Sequence, residues 1–502
     1  MGYVEERLKQ YTDFVGDESI ERQGNNVPAF MLQTQKMPFG LFFGVKRGQD
    51  SNGESALRYV GKPTDRDGHV LVVGGAGSGK SSCIVIPTLS TWKGNIFAID
   101  IKGELMANWV THRHKRPTKV FGFEKEKGIN SGYDPFYLLR EGDPDDLVQN
   151  AREISQAIIP VPPNVPEPFW TQAAQHVLTA ALLYGCSKTS VDPDTGEVFS
   201  TTFNQTLTRI QTVPLWKLIK EIEASGNQAA IMHINQFRGI ENPEENKMLS
   251  GISAELSNKI MVFATDARIK SAFTVSDDMM KWEDLESHNI FMRIPEDKLG
   301  QWDGAITLML TQLIRTLERR PDMYSDKAKE MNLPPVLLLL DEFPRLGKVD
   351  VIQNAVSTLR SKGVTICIIM QSLAQLDKTY GKESRQIIVD NCQYKAILNV
   401  TDPENQKIFS DMVGTIKIPA RSVGDGSGKN VSHSSGKSQT IGEPGSYSPG
   451  ESRGGSENLS INISASREPI IFPHEFATLK DIALVTPEGF CRVDKMPYYP
   501  KK

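Results

Sequence analysis

His69-Val-Leu-Val-Val73-Gly74-Gly-Ala-Gly-Ser-Gly79-Lys80-Ser81 is the stretch that decides the fold of this chain. A branched aliphatic run passes into a glycine cluster, and the cluster passes into a segment that can open a helix. Residues 74–81 match G-x-x-x-x-G-K-[ST] at every fixed position. The chemistry demands these residue types. Glycines let the backbone wrap a polyphosphate with its N–H groups turned inward, and the following helix N-terminus adds partial positive charge. Lys80 can reach the β- and γ-phosphates, and the Ser81 hydroxyl can ligate Mg²⁺. Gly74, Gly75, Ala76, Gly77, Ser78, Gly79, Lys80, Ser81 and Ser82 are therefore the candidate nucleotide-binding residues. A shorter echo, Gly426-Ser-Gly-Lys429, lacks the preceding strand, the earlier glycine and a hydroxyl residue after the lysine, and is set aside.

The expected partner is Val336-Leu-Leu-Leu-Leu340-Asp341-Glu342, a buried strand delivering two acids at its C-terminal end. Asp341 is placed to hold Mg²⁺, and Glu342 to orient or deprotonate the attacking water. A glutamate beside the metal-binding aspartate points to hydrolysis of ATP coupled to work, not to a small-molecule kinase. Gln371 ends the apolar run Val364–Met370, where it either senses the γ-phosphate or simply caps the strand. Arg360 lies nineteen residues beyond Asp341, just before that run. It reads either as a solvated helix-end arginine or as one reaching a neighbour's nucleotide. Asp100, Lys102 and Glu104 follow another short apolar run, Ile96–Ile99, and either line the same cleft or cap a helix.

Working outward, apolar runs of four to six residues at 70–73, 96–99, 290–294, 336–340, 364–369 and 395–398 alternate with helix-compatible segments. That is the pattern of a parallel sheet buried on both faces, an α/β fold. Between about 143 and 268 the texture is helical. Phe169, Trp170, Ala173, Ala174, Val177, Leu178, Ala181 and Leu182 form one apolar stripe, and Leu249, Ile252, Leu256, Ile260 and Phe263 another. The expected organisation is an N-terminal segment of loop and strand additions (1–64), a nucleotide-binding part (65–142), an all-α insert (143–268) and a second nucleotide-binding part (269–502). Within the last, Gly and Ser supply about half of residues 422–460, with almost no large apolar side chains. Such a stretch cannot offset its ordering entropy by burial and reads as a mobile loop.

Composition narrows the function. The 502 residues are 39% hydrophobic and carry a net charge of −4, so the chain can bury a core and is not a polybasic scaffold. The five cysteines form no CxxC pair, which points to reduced thiols and no structural zinc. Cys83 and Cys367 fall in apolar runs and read as core. No run approaches the length of a membrane span, and the charged opening is not a signal peptide.

With these residues together, the chain resembles the type IV secretion coupling ATPases, the TraG/TraD-like proteins of conjugative DNA transfer. The resemblance covers roughly residues 65–499. It rests on the phosphate loop 74–81, Asp-x-Lys-Gly-Glu at 100–104, Leu-Asp-Glu-Phe at 340–343, Gln371-Ser-Leu-Ala-Gln-Leu376 with Tyr380-Gly381, Ser466-Arg467-Glu-Pro469 and Lys495-Met-Pro-Tyr-Tyr499. It implies a RecA-like core carrying an all-α domain, with Gln371 as sensor and Arg360 as a finger offered to the adjacent subunit. A hexameric ring follows, with DNA in a central pore. Relaxase or secreted protein substrates are expected on the all-α domain, and secretion-channel components as partners. The site is the cytoplasmic face of the bacterial membrane. Family members usually begin with transmembrane helices and this chain shows none, so membrane attachment is expected through missing helices or a partner. Two other functions compete: a receptor that selects secreted proteins with ATP as an assembly switch, and an FtsK- or HerA-like DNA motor unrelated to secretion, which the Asp-x-Lys-Gly-Glu segment and the large helical insert disfavour.

Overall fold

The computed structural model describes residues 27–33, 39–49, 55–111, 116–124, 132–162, 168–191, 198–240, 242–274, 279–437 and 447–498. Strands β1 (Leu32–Gln33), β2 (Leu41–Gln49) and β3 (Ser55–Lys62) form a small antiparallel sheet. The run before the glycines is β4 (Val70–Val73), followed by β5 (Asn95–Asp100) and β6 (Thr118–Gly122). A hairpin of β7 (Thr189–Val191) and β8 (Val198–Ser200) interrupts the helical stretch. Then come β9 (Asn289–Arg293), β10 (Val336–Leu340), β11 (Val364–Met370) and β12 (Tyr394–Ile397). The last four are β13 (Thr415–Lys437), β14 (Tyr447–Pro469), β15 (Ile482–Thr486) and β16 (Gly489–Val493).

Nine strands build the central sheet in the order β16-β15-β12-β4-β11-β10-β5-β9-β6. From β12 to β6 every pairing is parallel, while β15 and β16 add an antiparallel edge. Every residue of β4, β5, β10 and β11 is buried, which explains why these strands read as unbroken apolar runs rather than alternating ones. Leu41, Phe43 and Val60 of the small N-terminal sheet join the same core as Val70, Leu89 and Ile96. A bridge between Val45 and Asp494 ties that sheet to the segment after β16.

The helical stretch is present, with Leu147–Ile158, Phe169–Ser187, Phe203–Thr212, Leu215–Ala224 and Lys247–Thr265 as its longer members. The second apolar stripe is wholly buried. In the first, Ala173 through Leu182 are buried, but Phe169 and Trp170 are 46% and 47% exposed. Helical spacing aligned those two with the stripe, yet they sit in the first turn and are only half covered, Trp170 lying beside Gly251 of the helix Lys247–Thr265. Asn246 and Asp266 each accept backbone N–H bonds at a helix start, and Asp266 also stands at the end of the helix before it.

The chain divides into two compact units, Asn26–Phe409 with Pro473–Lys502, and one containing Ser410–Phe472. This second unit corrects the reading of 422–460 as a loop. β13 and β14 pair antiparallel from Thr415 opposite Pro469 to Lys437 opposite Tyr447, with 438–446 outside the described residues. A ladder needs only backbone donors and acceptors, so an absence of apolar side chains does not forbid it. The Gly426–Lys429 echo lies inside β13, not at a strand-to-helix turn. A two-stranded ribbon on its own is marginal in water. Its amides are accordingly expected to exchange far faster than those of β10 and β11 in a mass-spectrometric exchange series. Protection of the ribbon equal to theirs would overturn that expectation.

Candidate nucleotide site

The strand order brings the predicted residues to one edge. The phosphate-loop strand β4 and the acidic-pair strand β10 are separated only by β11, so the C-terminal ends of all three open on one cleft. Gly74 N donates to Met370 O at the end of β11, and Gly75 N donates to Asn399 O just past β12. The loop is thus anchored at its base on both sides. Gly77 and Gly79 have φ of +70° and +98°, the left-handed backbone that glycine adopts without strain. A Cβ on Gly74 would stand 2.6 Å from Ser78 Oγ and 2.8 Å from Leu398 Cβ, so this position has no room for a side chain. Ser81 opens a wide helical turn, Ser81–Val85, that continues as Ile86–Thr91.

Lys80 is buried, and its ammonium donates to the carbonyls of Gly74 and Gly75, at 2.5 and 3.1 Å. Burial lowers its pKa, while the charges of Glu342 and Asp341 pull it back up. Asp341 and Glu342 end β10, each 6% exposed. Burial, followed by the Glu342 charge, pushes the Asp341 carboxyl up to about 6. Glu342 takes φ 48°, ψ 38°, a left-handed conformation that costs a non-glycine residue energy. That turn aims its carboxylate sideways: Oε1 accepts from Gln371 Nε2 at 3.0 Å, and Oε2 is buried with no partner among the described residues. Gln371 therefore sits at the tip of β11 between loop and acid pair, in contact with the acid itself.

Arg360 is not in this cleft. It precedes β11, at the opposite end of a seven-residue strand, about 20 Å from Gln371 at the usual rise of a strand. There it is exposed and lines a cavity of about 240 Å³ with Asp65, Arg66, Asp67 and Tyr324. Asp100 takes the capping alternative: its carboxylate accepts from Leu105 N and Met106 N at 3.3 and 2.9 Å.

Sequence reading missed a supporting layer. Tyr498 N donates to Ser82 O at 2.8 Å, and Lys495 Nζ donates to Asn399 Oδ1 at 2.9 Å. The closing segment therefore braces both the start of the helix and the residue past β12 that accepts from Gly75 N. Phe343 stacks on Tyr380, with ring centroids 5.5 Å apart, and Tyr380 Oη accepts from Val349 N. That pair fixes the backbone directly behind Glu342. The only signal in the sequence was that these residues belong to the motifs of the resemblance; their contact could not be read from it.

A phosphate loop, an acid pair and an intervening strand ending in glutamine place the fold among RecA-like P-loop nucleotide-binding proteins. Residues 18–500 match the family described as Type IV secretory system Conjugative DNA transfer, and the chain belongs to it. It is 26% identical to Protein VirD4 of Rhizobium radiobacter over 70% of this chain and 49% of that protein. To Conjugal transfer protein TraG of Escherichia coli it is 24% identical, over 72% of this chain and 59% of that one. The chain thus spans about half the length of the curated relatives it matches. Among solved structures it resembles plasmid coupling protein TrwB in complex with the non-hydrolysable ATP analogue ADPNP, with a TM-score of 0.61 and 15% identity over 95% of this chain and 97% of that one. TrwB in complex with ADP and Mg²⁺ gives a TM-score of 0.61 at 16% identity, over 93% and 96%. These likenesses bear out the α/β core with its helical region.

Proposed function

We propose that this chain hydrolyses ATP to drive the coupling of DNA to a type IV secretion channel. The observation that carries the reading is the meeting of Lys80, Asp341, Glu342 and Gln371 at one sheet edge, in a chain of the conjugative DNA transfer family. Mg²⁺ suits the donors present. The Ser81 hydroxyl and the Asp341 carboxylate are hard oxygens, and the buried Glu342 Oε2 without a partner leaves negative charge to be answered. When bound, the ion would neutralise phosphate charge. The residues of the chain do the rest: Gly74–Ser82 wrap the phosphates, Lys80 holds their outer oxygens, Glu342 takes the proton of the attacking water, and Gln371 links the state of that acid to β11.

The work is assigned to a ring, most plainly a hexamer, with DNA in its pore. Relaxase or secreted protein substrates are received by the helical region, and the channel components lie at the cytoplasmic face of the membrane. Among the described residues no helix is long and apolar enough to cross a membrane. Attachment is thus assigned to segments beyond them or to a partner. The test is an ATPase titration with DNA across protein concentration, run beside candidate secreted proteins. DNA is expected to raise turnover, the more so as concentration favours rings. Stimulation by a secreted protein and none by DNA would replace this reading with the receptor one.

A further inference from the structure

Asp100-x-Lys-Gly-Glu104 has one side chain with no task in the site described above. The rest of the segment is occupied in holding its own shape. Asp100 caps the helix Glu104–Thr111 through Leu105 N and Met106 N. Arg293, at the end of β9, donates to the carbonyls of Asp100 and Ile101. Gly103 has φ +75°, and a Cβ there would stand 3.2 Å from the Arg293 guanidinium. Glu104 lies in the first helical turn, where a carboxylate is favoured. Lys102 differs from all of these. It is exposed and has neither hydrogen bond nor ion pair among the described residues.

The backbone on either side of Lys102 is held by Asp100 and Arg293, while the lysine itself is exposed. β5 runs parallel beside β10, with Ala98 opposite Leu339, so both strands end at the same edge of the sheet. Lys102 then follows at the lip of the cleft, on the side of the acid pair away from the phosphate loop. Its charge is felt there. After burial and the Glu342 charge, it draws the Asp341 carboxyl down, and it disfavours the charged form of Lys80.

We propose that Lys102 is a catalytic cation of this subunit's own phosphate cleft, acting at the γ-phosphate end opposite Lys80. The inference rests on the nucleotide reading above and adds a residue to it. As the oxygen of water bonds to the γ-phosphorus, the bond to the β–γ bridging oxygen breaks and the water proton passes to Glu342. Negative charge then gathers on the departing phosphate and on ADP. Lys102 stays protonated and offsets that charge without exchanging a proton.

The experiment compares Lys102→Ala and Lys102→Arg with wild type in the full chain, measuring kcat with and without DNA and the affinity for a fluorescent ADP. Lys102→Ala is expected to lower kcat about 10- to 100-fold, the scale of one lost charge contact in the transition state, with ADP affinity kept within about threefold. Lys102→Arg should retain most of the turnover, and thermal melting should show both variants folded. Wild-type turnover in Lys102→Ala overturns the proposal. So does a loss confined to DNA-stimulated turnover, which would make Lys102 a nucleic-acid contact. An arginine variant as inactive as the alanine one, or ADP affinity falling in step with kcat, overturns it too. Lys80→Ala is run in parallel: if that variant hydrolyses ATP normally, the nucleotide reading itself fails. If it is inactive while Lys102→Ala is normal, only Lys102 has been misplaced.

Discussion

Lys80→Ala is expected to lower ATP hydrolysis by about 10²–10³-fold, the scale on which a preorganised transition-state contact is lost. The reason is local. Lys80 is buried among loop carbonyls and the two acids at the end of β10, with no second lysine or arginine inside the loop. Removing it leaves Asp341 and Glu342 facing the phosphates with less positive charge to balance them. The paired variant Glu342→Gln is expected to behave differently. It keeps the shape of the side chain and can still hydrogen-bond Gln371, so nucleotide should bind while turnover falls, because a neutral amide cannot take the proton of water. Steady-state hydrolysis and equilibrium binding of a fluorescent ATP analogue separate the two. Wild-type rates in Lys80→Ala would remove the assignment of Gly74–Ser81. Loss of binding in Glu342→Gln would mean that this carboxylate holds nucleotide or metal.

Arg360→Ala carries the second large expectation, a loss of about 10³–10⁵ in turnover, the range measured for arginines supplied across an interface in other nucleotide hydrolases. Geometry makes the case. Arg360 lies at the N-terminal end of β11 while Gln371 lies at its C-terminal end, so Arg360 cannot serve its own cleft. It is exposed, with no ion-pair partner among the described residues. The expectation is for a ring in which this end of one subunit meets the open cleft of the next, where the γ-phosphate gathers charge. A merely solvated arginine predicts under about 0.5 kcal/mol of stability change and no kinetic effect. Mixing decides between them. Arg360→Ala subunits combined with Lys80→Ala subunits should recover activity that each lacks alone, and recovery should rise with total protein concentration. Normal hydrolysis by Arg360→Ala under conditions where rings are demonstrated would remove Arg360 as a cation supplied across the interface.

What the sequence by itself determined was everything that repeats with short range. The phosphate loop is contiguous, so its glycines, Lys80 and Ser81 are visible as a pattern. β10 and β11 are buried on both faces, so their apolar runs mark them and place Asp341, Glu342 and Gln371 at their ends. The helical stretch announced itself by its 3.6-residue period. Elements whose stability comes from pairing were less legible. β6 and β16 have mixed polarity, and the ribbon of β13 and β14 is held by backbone bonds that leave no trace in side-chain type. Only the tertiary structure decided which strand lies between which. The order β4-β11-β10-β5 is what sets Gln371 against Glu342 and brings the end of β5, with Lys102 just beyond it, to the same edge as Asp341. It also sends Arg360 to the far edge and brings Tyr498 back to Ser82 across four hundred residues of chain. Such contacts depend on hydrogen-bond register between distant segments, and register is fixed by packing the whole sheet at once, not by any window of sequence.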